Sequence, residues 1–170
     1  DFKVVLDQRK DLWGAWSGLF GLSDKEMIVI TLEGDGRKDP WSEGVEVLEE
    51  ELLVPTERPK SSSPLVSEGL YVFRSFEMES KHIDDVVELS RLAWRTFERG
   101  ADYSSEPVGL FKPERPAKIC KMWLLTWYDG FSSWQASRKP HPEAQEFFRK
   151  RQALVTNTKA IAVRLITQSK

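Results

Sequence analysis
The pattern between residues 69 and 167 constrains the fold more than any other feature of this sequence. Residues 69–78, GLYVFRSFEM, concentrate aromatic and β-branched side chains and read as a strand. An amphipathic helix follows. Ser80 is its candidate N-cap, Asp84 and Asp85 lie in its first turns, and Gly100 suits its C-terminal end. Ile83, Val86, Val87, Ala93, Trp94 and Phe97 share one helical face, with Ser90 between them. Residues 107–111 read as a short strand, and PERPA (113–117) as a turn. Residues 118–128, KICKMWLLTWY, form the strongest strand pattern in the chain, ended by Asp129-Gly130. A short helix is expected over 131–138, broken at Pro140. A second has Pro142 at its first position and reaches about Val155. KAIAVRLIT (159–167) closes the series as a strand. The order β-α-β-β-α-β is the ferredoxin-like arrangement, so the class is α+β.

Residues 55–67, PTERPKSSSPLVS, hold three prolines and four serines and read as an exposed connector. The chain is therefore divided into a first unit at 1–55, a linker at 56–68 and a complete second unit at 69–170. The first unit repeats part of the second. Gly18-Leu19-Phe20 matches Gly109-Leu110-Phe111, and Ile30-Thr31 matches Leu125-Thr126, at offsets of 91 and 95. Trp41 parallels Trp134 at the next helix, and 51–54 reads as a closing strand. About 23 positions equivalent to the first strand and most of the first helix are missing, so the first unit is truncated. Residues 1–10 read as a helix remnant, with Phe2, Val5 and Leu6 on one face; a short strand FKVVL is the competing reading.

Charge and composition exclude more than they identify. Residues 1–85 carry 10 basic and 19 acidic side chains, and residues 86–170 carry 15 and 8, so the two halves attract if they pack together. No run of Lys and Arg is interleaved with aromatics, which argues against nucleic-acid binding. No window approaches roughly 18 apolar residues, so no membrane-spanning helix is expected. Two histidines and one cysteine do not make a zinc site, and no phosphate loop or GxSxG elbow is present; no metal and no cofactor are expected. A single cysteine favours a reducing, cytoplasmic setting.

GLYVFRSFEM, ELSRLAWRTFE, VGLF, MWLLTWY and FFRKRQALVTNTKAIAVRLI together resemble NIPSNAP-like proteins, of the dimeric α/β-barrel group of ferredoxin-like folds. The resemblance covers 69–168 well and 11–54 more loosely. It implies two ferredoxin-like units facing sheet to sheet around a barrel, here fused in tandem with the first truncated. It brings no catalytic residue with it. Wider relatives include cofactor-independent monooxygenases, and fold kinship of that kind does not carry function. A first sheet lacking one strand leaves an edge that another chain would cover, so a homodimer is expected.

Strand alternation sorts the residues that could hold a ligand. One face of 118–128 carries Lys121, Trp123, Leu125 and Trp127. Arg74 lies with Val72 and Phe76, and Arg164 with Ala162 and Ile166. A charge beneath a packed helix is costly, so the faces bearing Arg and Lys are assigned to the barrel interior. Arg74, Arg164, Trp123, Trp127 and Lys121 would then line one inter-sheet cavity. Such a cavity suits a small apolar or aromatic molecule, in particular an acid. The competing reading pairs each Arg with an acid such as Glu26 or Glu77. A cofactor-independent enzyme using Arg74 and Arg164 on an anionic substrate, and a non-catalytic scaffold, are the alternative functions. His82 is the one histidine suited to a base, with a solvated role the competing reading. His141 reads as a cap or surface residue, and Cys120 as a buried inert thiol.

Overall fold
The computed structural model describes Leu6, residues 9–32, Trp41 and residues 44–166. Most of the helix remnant expected at 1–10 lies outside the described residues, though Leu6 itself is helical and buried; the helix expected at Trp41 is not found at Trp41 or at 44–50, which are not helical, and its other positions lie outside the described residues. The strands are β1 (Leu12–Phe20), β2 (Met27–Thr31), β3 (Leu53–Pro55), β4 (Leu70–Glu79), β5 (Ser105–Pro113), β6 (Ile119–Tyr128) and β7 (Asn157–Leu165). The helices are α1 (Ile83–Phe97), α2 (Phe131–Ala136) and α3 (Pro142–Gln152). All elements expected between 69 and 167 are present, with ends shifted by up to three residues. The strands make one sheet in the order β2-β1-β7-β4-β6-β5-β3, every neighbouring pair antiparallel. Its centre, β7-β4-β6-β5, is the ferredoxin-like order.

The helices cover one face of that centre. Ile83, Val86, Ser90, Ala93, Trp94 and Phe97 of α1 are buried, the face anticipated from the 3.6-residue period. They pack with Val72, Phe76, Met78, Leu110 and Met122 from the sheet. Each such side chain contributes about 1.5–3 kcal/mol by leaving water. The helix ends differ from expectation. Ser80 opens a 3₁₀ turn (Ser80–His82), and α1 starts after it without a side-chain cap. Gly100 does not take a left-handed conformation. A Cβ there would stand 2.3 Å from the Tyr103 ring, so the close approach of that ring is what requires glycine.

Segment 12–55 does not build a separate sheet. It adds β1 and β2 to the β7 edge and β3 to the β5 edge. The β1–β2 and β5–β6 hairpins share a local geometry, four residues from the GLF match. Gly14 is opposite Ile30, as Gly109 is opposite Leu125, a constant offset of 95. Both hairpins carry an irregularity just before that glycine, at Leu12/Gly14 and at Pro107/Gly109. In both, the ring two residues on, Trp16 or Phe111, occupies the space a glycine Cβ would fill, at 2.3 and 2.4 Å.

The sheet is strongly curled. Trp13 on β1 meets Phe111 on β5 edge-to-face at 5.9 Å, although three strands lie between them in the sheet order. The concave side is filled by Trp13, Trp16, Tyr71, Phe73, Leu125 and Val163. The segment 56–67, expected as an exposed connector, is exposed over 60–64 and at 66 and 67, and it is also tied down across this structure. Thr56 N–H donates to the Leu110 carbonyl (2.9 Å) and Leu110 N–H to that of Arg58 (2.9 Å). Leu65 N–H donates to the Trp13 carbonyl (2.9 Å). Arg58 donates to Glu98 (2.9 Å) and to the Pro107 carbonyl (2.8 Å), and its guanidinium lies 5.1 Å from the Trp94 ring centre. Serine and proline content reports polarity; the backbone bonds decide whether a segment moves. Arg58→Ala should lower stability by about 1–3 kcal/mol in denaturant titration and speed proteolysis within 56–67. Unchanged stability and cleavage would show that Arg58 does not anchor the strap.

Candidate functional site
The register separates the five residues expected to line one cavity. On β6, Trp123 stands opposite Ser75 and Trp127 opposite Tyr71, so both indoles are on the concave side. Lys121, opposite Glu77, is on the same side. Arg74 stands opposite Leu124 and Ala160, and Arg164 opposite Leu70, so both arginines are on the helix side. The assignment of all charged faces to the barrel interior therefore fails for the two arginines.

On the concave side the chain satisfies its own polar groups. Lys121 pairs with Glu49 at 2.8 Å and with Glu51. The Trp123 indole donates to Glu51 (2.7 Å), and that of Trp127 to the Glu68 carbonyl (2.9 Å). The Glu51 carboxylate, just before β3, thus occupies the position beside Lys121 and Trp123 that a ligand was expected to take. Deeper in, Trp16 meets Phe73 at 5.0 Å and Tyr71 at 5.9 Å. The buried indole N–H groups of Trp13 and Trp16 have no acceptor.

Among the described residues, the helix side holds the opposite arrangement, cations without paired acids. Arg151 of α3 is buried, and its guanidinium lies 4.6 Å from the Phe76 ring centre and 4.8 Å from that of Phe148. Its Nη1 donates to Ser90 Oγ (2.9 Å), which in turn donates to the Val86 carbonyl (2.7 Å). Burial lowers its proton affinity, and the charge of Arg74 adds to the effect. Arg74, two residues before Phe76 on the same face, is lowered by burial and then by the charge of Arg138 just beyond α2. Arg164 is exposed on the same face. Among the described residues, no carboxylate pairs with Arg74, Arg138, Arg151 or Arg164. Nearby, the Thr158 hydroxyl, opposite Phe76, is buried without a partner. An anion placed among these groups would gain charge-assisted hydrogen bonds and relieve like-charge repulsion.

Arg138 and Arg151 escaped the sequence reading. Arg151 continues the α3 stripe that contains Ala144 and Phe148, and an arginine at an apolar-face position was the available signal. The remaining polar residues have structural surroundings. His141 Nδ1 accepts from Glu143 N–H (3.2 Å) as the cap of α3. His82 lies 3.9 Å from Asp85, at the Glu79 end of β4 and away from Tyr128 at the other end. Cys120 is buried on the helix side, and burial pushes its thiol up. No group of His, Cys, Asp and Glu able to hold a metal occurs among the described residues. No helix among them is long and apolar enough to cross a membrane.

No family model matches the chain, and no curated protein matches it. Among solved structures it is similar to an anthrone oxidase-like protein, with a TM-score of 0.51 and 10% identity over 68% of this chain. The match takes in 52% of that protein, so this chain corresponds to about half its length. The likeness shows the fold: a ferredoxin-like, α/β-barrel type of structure.

All three tyrosines of the chain are held above their ordinary range. Burial, then the charge of Glu106, pushes Tyr71 up to about 12. Burial raises Tyr103, and also Tyr128, where the hydrogen bond with Ser137 and the charges of Arg74 and Arg138 oppose it. A phenol raised in the folded state contributes stability that is complete below its unfolded value near 10 and is lost as pH rises through the folded value. Phenolate absorbance at pH 10 should therefore be well under half of its maximum in the folded protein and near half in denaturant. Equal titration in both states would contradict the buried placement.

Proposed function
We propose that this protein binds a small organic anion on the helix side of β4 and β7, with Arg74 and Arg164 as its primary cations and Arg138 and Arg151 around them. The supporting observation is a set of four guanidiniums on one face with no carboxylate partner among the described residues. Arginine favours carboxylates, which its planar fork meets with two hydrogen bonds. The proposed affiliation is NIPSNAP-like, with residues 1–55 a truncated counterpart of the unit at 69–170. The constant offset of 95 between the two hairpins supports that pairing. The open edges of β2 and β3 favour association with a second copy. A second reading is an oxidase-type enzyme that acts on the bound anion without a cofactor; it draws on the oxidase-like neighbour in fold.

Arg74→Ala tests the site directly. No acid is left unpaired by the change and repulsion with Arg138 falls, so the melting temperature should hold or rise. Benzoate affinity measured by calorimetry should drop at least tenfold, about 1.4 kcal/mol. Benzoate binding that is absent in the parent, or equal in the variant, would overturn the reading. Oxygen uptake with benzoate bound would support the enzymatic version.

A further inference from the structure
On the same side of the sheet as the unpaired arginines stand two of the most exposed aromatic rings in the described residues. Phe20 at the end of β1 is 66% exposed and Phe131 at the start of α2 is 47% exposed. They meet each other edge-to-face at 6.0 Å, so α2 reaches from the end of β6 back over the sheet to β1. Phe20 is opposite Ala162 on β7, and Ala162 is opposite Val72 on β4. One step along β7, Ala160 stands opposite Arg74 and is exposed. Ala160 is exposed on this strip of β7, while Ala162 is partly buried against the helix-side core, and both side chains are short.

Strand geometry sets the scale of this strip. Phe20 and Arg74 are separated by two strand spacings and one two-residue step, roughly 12 Å between backbones. That span suits a molecule of two fused rings with an acid at one end, once the arginine side chain has reached inward. A bare inorganic anion would use the guanidiniums and leave both rings in water. A neutral aromatic would use the rings and leave the cations unpaired. The two features together select a ligand with both parts.

We infer that the anion taken by this face is an aromatic carboxylate, its ring seated against Phe20 and Phe131 above Ala162 and its acid group on Arg74. This rests on the anion-binding reading above and adds the chemical class of the ligand. Phe20 and Phe131 are specificity determinants in it; they touch the ring and leave the acid to the arginines.

Calorimetric titration of the whole chain with 1-naphthoate, acetate and 1-naphthalenemethanol tests the inference. Naphthoate should bind at least tenfold more tightly than acetate, and at least tenfold more tightly than the neutral alcohol. Phe131→Ala, at an exposed site that the fold does not depend on, should cut the naphthoate-to-acetate ratio at least threefold, and Phe20→Ala should do the same. Equal binding of naphthoate and acetate would overturn the aromatic class while leaving the anion site standing. Equal binding of naphthoate and the alcohol, or a ratio unchanged in both variants, would likewise overturn it. Failure of both acids to bind would remove the anion site itself.

Discussion
Edge-to-face contact between Trp13 and Phe111 joins two strands that the sheet order places far apart, and most of the architecture depends on the curl that makes it possible. Flat, the sheet would expose Trp13, Trp16, Tyr71 and Phe73 on one side to water. Curled, it buries them against one another, and buried aromatic pairs add about 0.5–1.5 kcal/mol each beyond their area. The curl also brings the strap at 56–67 within hydrogen-bonding reach of both β5 and β1. Glu49 and Glu51, just before β3, can then satisfy Lys121 and Trp123. The concave side is closed by the chain's own residues, and the unsatisfied charge remains on the convex, helix-bearing side.

That division explains why an aromatic-rich barrel face and an arginine-rich helix face coexist in one small sheet. A guanidinium under a helix is tolerable when flat apolar rings flank it and a hydroxyl accepts from it, as Phe76, Phe148 and Ser90 do for Arg151. Its delocalised charge is more weakly hydrated than an ammonium, which reduces the desolvation cost. Arg74 and Arg138 then add to a local positive field that nothing in the described chain neutralises.

The unit at 69–167 was legible in the sequence because its signals are strong and local. KICKMWLLTWY alternates cleanly, and the apolar stripe of α1 has the helical period through Phe97. The pairing of Arg74 and Arg164 on one face was also legible, since alternation depends only on counting. Which side that face takes was not. The rule that charge avoids helices overlooked the cation–ring contacts of Arg151, which depend on how α3 docks. The exposure of the connector was legible, but its anchoring was not: PTERPKSSSPLVS says nothing of backbone partners far along the chain on β5.

The strand directions carry one more consequence. Seven strands in which every neighbour is antiparallel alternate in direction, so β2 and β3, at the two ends, run the same way. If the curl brought those two edges together they would meet as a parallel pair, against the alternation of the rest. An even count is needed for an all-antiparallel ring, and the described residues supply an odd one. The arc is therefore frustrated by parity: one additional strand, running opposite to both edges, would complete it, whereas further curling alone would not.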